Sequence, residues 1–373
     1  MRICIIRSNP VNPDSRVEKE VSALCSAGHK VHVLAWDRDD SYKRRTEYLT
    51  VQNCRAVITR IGFKASFGEG FKNIVPFAGF QILMFRHLFQ NRDRYDVIHA
   101  CDFDTAFLSQ IAAKILHKKF IFDIFDFIYG EPQNWFQKFI KKAEIRIISQ
   151  SDAVIICSEE RKKQIKDAHP KKLAVIHNTP METGKKAFET TGDRHPVRAV
   201  YVGILQDYRL LKEMLSFYKK HSEYEWHVGG FGKYEQEFID ASQKYKNIIF
   251  YGKISYEQTL SLESQCDIIT AVYDPRIENH RFAAPNKFYE GLMLGKPLIM
   301  VKGTGMSEIV KKYDIGELID YSEKGFREGI LKLVHRKMDW KEMSKKMQNL
   351  YHEKYSWEVM ADRLCRLYRD ISV

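Results

Sequence analysis

Short apolar runs alternate with longer amphipathic stretches over the first half of the chain. The runs RICIIR (2–7) and HKVHVLAW (29–36) flank a stretch with helical spacing at 16–28, with Ser15 as a possible N-cap and Gly28 as a stop. The same alternation continues with strands DVIHA (96–100), KFIFDIF (119–125), DAVIICS (152–158) and LAVIHN (173–178), and with a helix at about 104–117. Apolar strands that alternate with helices are typical of a parallel sheet covered on both faces. We therefore expect a Rossmann-like domain over residues 1–178.

The alternation restarts after residues 179–196, which lack apolar periodicity and carry Gly, Pro and Thr, as an interdomain linker does. The strands predicted after it are RAVYVG (198–203), EWHVGGFG (225–232), NIIFYG (247–252), DIITAVYD (267–274), KPLIMVKGTG (296–305) and GELID (316–320). A helix at about 340–371 has Leu and Tyr at helical spacing. The fold class is therefore α/β, with a second Rossmann-like domain at 197–355.

Charge and cysteine usage narrow the class of protein. A formal charge of +12 favours anionic partners, but no nucleic-acid-binding module is visible, so nucleic acid is not expected as a partner. The seven cysteines are scattered without a C-x-x-C pair, which argues for a reducing compartment and against a disulfide framework or a zinc site. Cys4 and Cys157 are expected in the core. No signal peptide opens the sequence and no apolar run approaches the ~20 residues of a membrane span, so we expect a cytoplasmic protein.

The segment FAAPNKFYEGLMLGKPLIM (282–300) carries the most specific chemistry. It predicts a helix that opens at Pro285, followed by a turn and an apolar strand. Lys287 and Glu290 are three residues apart and share one helix face. Free N–H groups at a helix start attract phosphate, and a carboxylate one turn later can accept hydrogen bonds from a ribose, so the pattern indicates a nucleotide site. A helix-turn-strand with ordinary caps is the alternative.

The same segment resembles the donor-binding motif of GT-B glycosyltransferases, in particular glycosyltransferase family 4 (the group 1 glycosyltransferases). The segments GHKVHVL, DVIHA, SDAVIICSE, VIHN and VYVG follow in the family's order, so the resemblance covers essentially the whole chain. It implies the GT-B fold, in which two Rossmann-like domains face a central cleft and the last helix, here about 356–373, packs back onto the first domain. It also implies a nucleotide-sugar donor, no cofactor and no essential metal. A nucleotide-sugar 2-epimerase, which shares the fold, is the main alternative; a basic nucleic-acid-binding or membrane-binding protein is a weaker one.

The resemblance implies that the donor binds to the second domain. Two positions depart from the family's usual pattern: Ile204 replaces an Arg, and Phe282 stands where many members carry the first of two Glu residues. Asp207 is a plausible N-cap for the helix that follows. The candidate donor-binding residues are Gly203, Arg209, Lys212, Gly230, Pro285, Asn286, Lys287 and Glu290.

The first domain is expected to bind the acceptor at polar residues that follow its strands. The candidates are Asn12, Asp14, Arg16 and Asp102. Asp126 is the candidate catalytic residue, acting as general base on an acceptor hydroxyl if the enzyme inverts. If it retains, as the family does, a donor phosphate oxygen takes that proton instead. The D-x-D spacing of Asp102 and Asp104 also suggests a metal site, but a metal needs more ligands.

Two basic, aromatic segments suggest a membrane surface as a further partner. Residues 63–90 are rich in Phe with interspersed Lys and Arg, and QKFIKKAEIR (137–146) adds positive charge. A core-facing helix with a solvated face is the alternative explanation. If the segments bind a membrane, the acceptor is a lipid-linked saccharide at its cytoplasmic surface, used in cell-surface polysaccharide or glycan synthesis.

Overall fold

The chain forms two compact units in a computed structural model, which describes residues 1–42, 46–52, 54–65, 73–128, 132–182 and 196–372. The first unit comprises Met1–His177 with Met360–Val373, and the second comprises Asn178–Val359. Most of the predicted linker, 183–195, lies outside the described residues, as does part of the basic segment 63–90. No described helix combines the length and the apolarity needed to cross a bilayer.

The first unit is built on an eight-stranded sheet. Its strands are β1 (Arg2–Arg7), β2 (Lys30–Asp37), β3 (Thr46–Val51), β4 (Cys54–Gly62), β5 (Val97–Cys101), β6 (Lys119–Ile124), β7 (Ala153–Ile156) and β8 (Leu173–Val175), in the spatial order β3-β4-β2-β1-β5-β6-β7-β8. Its helices are α1 (Ser15–Ser26), α2 (Ile74–Gln90), α3 (Phe103–Ile115) and α4 (Trp135–Gln150). Among the strands that the structure describes, all pairs are parallel except β3 with β4, a hairpin absent from the prediction.

The second unit is built on a six-stranded, fully parallel sheet. Its strands are β9 (Val197–Ile204), β10 (Tyr224–Phe231), β11 (Ile248–Phe250), β12 (Ile268–Ala271), β13 (Leu298–Val301) and β14 (Gly316–Ile319), in the order β11-β10-β9-β12-β13-β14. Its helices are α5 (Leu211–Lys220), α6 (Glu235–Lys244), α7 (Tyr256–Gln265), α8 (Glu278–Arg281), α9 (Asn286–Leu294), α10 (Ser307–Tyr313), α11 (Glu323–His335) and α12 (Trp340–Leu350). Successive residues of β9 enter opposite cores, so helices cover both faces of this sheet.

The spacing of Leu and Tyr residues predicted one continuous C-terminal helix, but the structure shows two. A π-helical turn, Tyr351–Tyr355, ends α12, and Ser356 is extended before α13 (Trp357–Ser372) begins. The Ser356 hydroxyl accepts a hydrogen bond from the backbone N–H of Val359. A residue with this cap chemistry starts a new helix, which the apolar spacing alone does not reveal.

The last turns of α13 belong to the first unit. The fully buried Tyr368 places its hydroxyl 2.8 Å from Nδ1 of His99, in the centre of the first sheet. His99 is also buried. Both ends of the chain therefore contribute to the first core.

The cysteines differ from the expectation in one respect. Cys4 and Cys157 are buried, as predicted, but Cys25 of α1 and Cys54 of β4 form a disulfide with their Cα atoms 6.0 Å apart. The sequence argued against a framework of disulfides, and this is one pair, with the other five cysteines free. The spacing of 29 residues did not reveal it, because the contact depends on α1 packing over an unpredicted strand.

Candidate functional site

The centre of the second sheet has the topology that creates a ligand site. The chain runs outward from β9 through β10 to β11, then returns to place β12 on the other side of β9. Loops after β9 and β12 therefore diverge, and open parallel sheets bind ligands at the carboxyl ends of the strands at such a point. The residues considered next lie in these two loops, at the carboxyl ends of β9 and β10, or in α7 and α9.

Two predicted glycines, Gly203 and Gly230, lie opposite each other in the β9–β10 register. A Cβ atom on Gly230 would lie 1.9 Å from the carbonyl oxygen of Gly203, and the φ of Gly230 is 142°. Gly230 is therefore explained by close backbone approach. A Cβ on Gly203 would lie 3.5 Å from Nζ of Lys287, so the lysine ammonium lies directly over this strand end.

Arg209 and Lys287 converge on the same two aromatic side chains. The Arg209 guanidinium lies 4.1 Å from the ring centroid of Tyr273, and Nζ of Lys287 lies 5.2 Å from that of Tyr201. Both cations also interact electrostatically with Tyr201. Among the described residues, no carboxylate lies within ion-pair distance of Arg209. Two cations with an incomplete set of counter-charges form a site suited to an anion.

His280 fixes the position of Arg209. Its Nε2 lies 3.0 Å from a guanidinium nitrogen of Arg209, and its Nδ1 lies 2.9 Å from the backbone carbonyl oxygen of Asp274. Because a guanidinium only donates and a carbonyl only accepts, the ring must be neutral with its proton on Nδ1. The loop after β12 thus orients a cation supplied by the loop after β9.

Glu290 lies in a buried polar group beneath the start of α9. Its side chain is only 2% exposed and interacts with the phenol of Tyr256, with the fully buried Glu263 and with Lys287. Burial and the nearby Glu290 raise the pKa of Glu263 well above its ordinary value. Burial lowers the pKa of Lys287, but Glu290, Tyr273, Glu263 and Tyr201 together more than offset this, and the net pKa shift of Lys287 is upward.

The remaining donor candidates lie in varied surroundings. Pro285 is the N-cap of α9, with Asn286 as the first helical residue, and the Asn286 side-chain oxygen accepts from the amide of Asn178 at 3.2 Å. Lys212 pairs instead with Glu237 at 3.3 Å, and its ammonium lies over the ring of Tyr234. Lys212 therefore contacts the first turn of α6 and its N-cap.

The N-cap predicted for the helix after β9 was wrong. The helix begins at Leu211, and its cap is Leu210 in the left-handed region, so Arg209 precedes the helix. Asp207 instead accepts from Lys233 at 2.7 Å and from the hydroxyl of Tyr234. In the first unit, Asp14 rather than Ser15 caps α1, by accepting from the N–H of Val17.

The first sheet has an equivalent divergence point between β1 and β5, and three candidate residues meet there. Arg7, at the end of β1, forms ion pairs with Asp14 at 2.9 Å and with Asp102. The other oxygen of Asp102 accepts from the backbone N–H groups of Phe125 and Asp126. Burial raises the pKa of Asp102 to about 6, although Arg7 opposes the shift. Asp102 thus connects three loops at the carboxyl edge of the sheet.

Arg16 lies beneath this edge in the core. It is buried, donates to Asp123 at 2.6 Å and to Glu20 at 3.2 Å, and packs against the ring of Phe125. These contacts are enough to explain why an Arg is buried at this position, so its role is accounted for by the core. Asn12 interacts with a different residue: its side-chain amide donates to the hydroxyl of Tyr42 at 2.5 Å.

Asp126 keeps most of its surface open. Its side chain is 71% exposed, and one carboxylate oxygen accepts from the buried guanidinium of Arg161 at 2.5 Å. Arg161 also donates to the sulfur of Cys157. The other oxygen of Asp126 is thus available at the edge formed by Asp102.

The sequence reasoning missed several residues that organise these sites. Four unpredicted residues contact candidate residues. Arg7 pairs with Asp102 and Arg161 with Asp126, while Tyr201 and Tyr273 lie against Lys287 and Arg209. Arg7 carried a usable signal, since a charged residue that ends an apolar strand marks the sheet edge. The contacts of the other three depend on tertiary packing.

Comparison with protein families matches both halves of the chain. Residues 16–179 match the model described as "Glycosyltransferase Family 4", and residues 188–351 match "Glycosyl transferases group 1". Among curated proteins, no match is found for this sequence.

Solved structures with the same fold cover the whole chain. Sucrose-phosphate synthase from Thermosynechococcus elongatus is similar at 14% identity and a TM-score of 0.76, over 100% of this chain and 99% of that one. HepE from Anabaena, in complex with UDP, is 12% identical with a TM-score of 0.72, over 99% and 100%. The catalytic domain of Starch Synthase IV from Arabidopsis thaliana, bound to ADP and acarbose, is 15% identical with a TM-score of 0.71, over 100% of both chains.

Two Rossmann-like units, each with polar side chains at the divergence point of its sheet, define an enzyme of the GT-B fold class, as the sequence predicted. The chain belongs to the group 1 glycosyltransferases, and the predicted enzyme class, glycosyltransferase, is confirmed. The roles of individual residues, and the expected absence of a cofactor and an essential metal, stay predictions.

Proposed function

We propose that this enzyme transfers a sugar from a nucleotide-diphosphate sugar to a saccharide or lipid-linked saccharide acceptor, in cell-surface polysaccharide or glycan synthesis. The observation that carries the proposal is the convergence of Arg209 and Lys287 beside Gly203, at the carboxyl end of β9. A cytoplasmic enzyme, peripheral at the inner face of the cell membrane, is part of the same proposal.

The diphosphate would occupy the space beside the two cations. Arg209 and Lys287 would then offset the charge that develops on the leaving diphosphate, together with the backbone N–H groups at the start of α9. Because His280 already holds Arg209, the cation needs little reorganisation when the donor binds. Glu290 would accept hydrogen bonds from the ribose after exchanging them with its present neighbours.

The acceptor hydroxyl would bind at the edge formed by Asp102 and Asp126 in the first unit. If the configuration at the transferred sugar inverts, Asp126 removes the hydroxyl proton as the sugar–oxygen bond forms and the sugar–phosphate bond breaks. If it is retained, an oxygen of the departing diphosphate takes this proton. In both cases the products are the extended saccharide and a nucleoside diphosphate.

Structures of the same fold support the choice of ligand. HepE is described in complex with UDP and with UDP-glucose, and the starch synthase domain is described bound to ADP. These ligands support a nucleotide as the proposed donor fragment of this chain and leave the base open.

The test is a thermal-shift titration with UDP, GDP and ADP on the wild type and on Arg209→Ala, Lys287→Ala and Lys219→Ala. One nucleotide is expected to raise the melting temperature of the wild type. Each of the first two variants should weaken binding about 10- to 100-fold, the effect of removing a charge-assisted hydrogen bond. Lys219 is the matched control, since it is an exposed cation of the same unit, at the end of α5, where it packs on Tyr245.

The same titration can contradict the proposal. If Arg209→Ala and Lys287→Ala respond to nucleotide like the wild type, the cations do not hold the diphosphate. A second assay tests transfer itself. It measures release of the nucleoside diphosphate from the matching nucleotide sugar in the presence of a saccharide acceptor. Interconversion of two nucleotide sugars without transfer would favour the epimerase alternative.

A further inference from the structure

Three neighbouring helices of the first unit leave an extensive apolar surface exposed. Among the described residues of α2, α3, α4 and the loop before α4, eleven large hydrophobic side chains are exposed, and we call them the apolar face: Ile74, Val75, Phe77, Ile82, Phe107, Ile111, Ile115, Ile128, Trp135, Phe136 and Phe139. Trp135 and Val75 are each 79% exposed. Single exposed hydrophobic residues are ordinary, but a contiguous set marks an interaction surface.

The apolar face is continuous, because its central residues line one groove. The groove has a volume of about 650 Å³, and its walls include Phe77 and Ile82 of α2, Phe107 of α3 and Phe139 of α4. The core of the unit does not need these side chains. The same helices bury other residues, among them Phe80, Met84, Ala112, Ile147 and Ile148.

The exposed charged residues of α2, α3 and α4 are all positive. Lys138, Lys142 and Arg146 follow at intervals of four along α4, so they form one row on its surface. Arg86 of α2 and Lys114 of α3 are exposed as well. The acidic residues of these three helices, Asp104 and Glu144, are half-buried and buried respectively.

This combination identifies the chemistry of the partner. A second copy of the chain, docked by a two-fold axis, would set the five cations of one copy against those of the other. A single hydrocarbon chain in the groove would leave Val75, Ile111, Ile115 and Trp135 uncovered, since these do not line it. A bilayer with anionic headgroups covers the whole apolar face and neutralises the cations.

We infer that the apolar face docks this enzyme onto bilayers that contain anionic phospholipid. The inference deepens the membrane position in the proposed function and assigns it to a surface. Phe103, which lines the groove, follows Asp102 directly, so docking brings the candidate acceptor edge of the first sheet close to the lipid surface. Nucleotide binding by the second unit is a separate property and is measured separately.

Tryptophan fluorescence gives a direct readout. The chain has five tryptophans, and Trp36, Trp226, Trp340 and Trp357 are all buried, which leaves Trp135 as the exposed one. With the full chain and vesicles of phosphatidylcholine and phosphatidylglycerol, we expect a blue shift of the emission. Trp135→Phe should bind these vesicles in a flotation assay but lose the shift.

Flotation tests the two components of the surface. Phe136→Ser with Phe139→Ser should weaken vesicle binding at least tenfold, since two inserted aromatic side chains are lost. Lys138→Ser with Lys142→Ser should weaken it roughly 25-fold, by about fivefold per cation, with the difference shrinking as salt is added. Met338→Ser is the control, because Met338 is an exposed apolar residue in the second unit.

Three results would overturn the inference: no binding of wild type to the anionic vesicles, unchanged binding by Phe136→Ser with Phe139→Ser, or equal binding to vesicles of phosphatidylcholine alone. Dimerisation that Trp135→Ser abolishes, without vesicle binding, would assign the face to a second copy. The nucleotide-dependent thermal shift of each variant is measured in parallel. The nucleotide shift reports on the second unit, so folding of the first unit is checked in each variant by its own melting transition. A variant that keeps both the shift and this transition but loses vesicles is folded, so the two proposals fail independently.

Discussion

At the scale of single residues, His280 shows how a neutral side chain orients a charged one. Its ring accepts from Arg209 only while Nε2 is unprotonated, and the backbone carbonyl of Asp274 holds the proton on the other nitrogen. A cation held in this way is prepared for an anion before the anion arrives.

We expect His280→Phe to raise KM for the nucleotide sugar about 2- to 10-fold, the effect of losing one hydrogen bond on Arg209. His280→Gln keeps an acceptor and should lie closer to the wild type. Steady-state kinetics with varied donor concentration measures both. If the KM of His280→Phe equals that of the wild type, His280 does not position Arg209 for the donor.

Asp126 offers a second test at this scale. We expect Asp126→Asn to lower kcat by about 10²- to 10⁴-fold if this carboxylate is the general base, with little change in melting temperature because the side chain is largely exposed. An unchanged kcat would favour proton transfer to the donor diphosphate. The configuration of the product, read by NMR, distinguishes the two routes independently.

The sequence identified the chemistry of individual residues better than their partners. Lys287 and Glu290 were predicted to share a helix face, and they interact in the structure. Arg16 was expected at the acceptor site but is buried against Asp123. The difference arises because burial of a charged residue depends on a partner 107 positions away, which local spacing does not show.

At the scale of elements, α4 combines an exposed face with a buried acid. Glu144 is 1% exposed, and Nζ of Lys141 lies 3.8 Å away. Burial raises the pKa of Glu144 from 4.5 to about 7, with Lys141 opposing the shift. Because the folded state holds this proton more tightly than the unfolded chain, stability falls as pH rises from about 4.5 to about 7.

Glu144→Gln should therefore stabilise the first unit at pH 8, by about 1–3 kcal/mol, with a much smaller effect at pH 5. Melting curves at the two pH values measure the change. Glu160→Gln is the control, since Glu160 forms an exposed pair with Lys163 and such pairs contribute little. Equal stabilisation by Glu144→Gln at both pH values would contradict the argument.

Element boundaries were predictable where a local rule decides them and not elsewhere. Gly28, with φ of 83°, follows the end of α1 as predicted. The cap of α5 is Leu210, an apolar residue in the left-handed region, which a search for cap chemistry does not find. The β3–β4 hairpin was missed as well, although β3 alternates exposed and half-buried positions.

At the scale of the whole molecule, the two-domain α/β fold followed from the repeated alternation of strands and helices. The strand order did not, because it depends on which strands the crossovers bring together. The candidate sites lie at the points where each order diverges, so their location required the structure even though most of their residues were named from the sequence.

The contact between α13 and the first sheet predicts a measurable loss. Tyr368→Phe leaves Nδ1 of His99 without its 2.8 Å partner, and a buried unpaired polar atom costs about 1–3 kcal/mol. Calorimetry should show a lower melting temperature for one of two transitions. Tyr313→Phe is the control, since Tyr313 bonds the exposed Lys354. No change in either transition on Tyr368→Phe would show that this hydrogen bond does not hold the unit.

The discontinuity of the first unit has a consequence during translation. Residues 1–177 leave the ribosome first, but their last core element, from Met360, is synthesised only after residues 178–359. At ~5–20 residues per second, this delay is roughly 10–40 s. During that time the surface that later binds Tyr368, which includes the buried His99, is uncovered, and it is open to chaperones on the nascent chain.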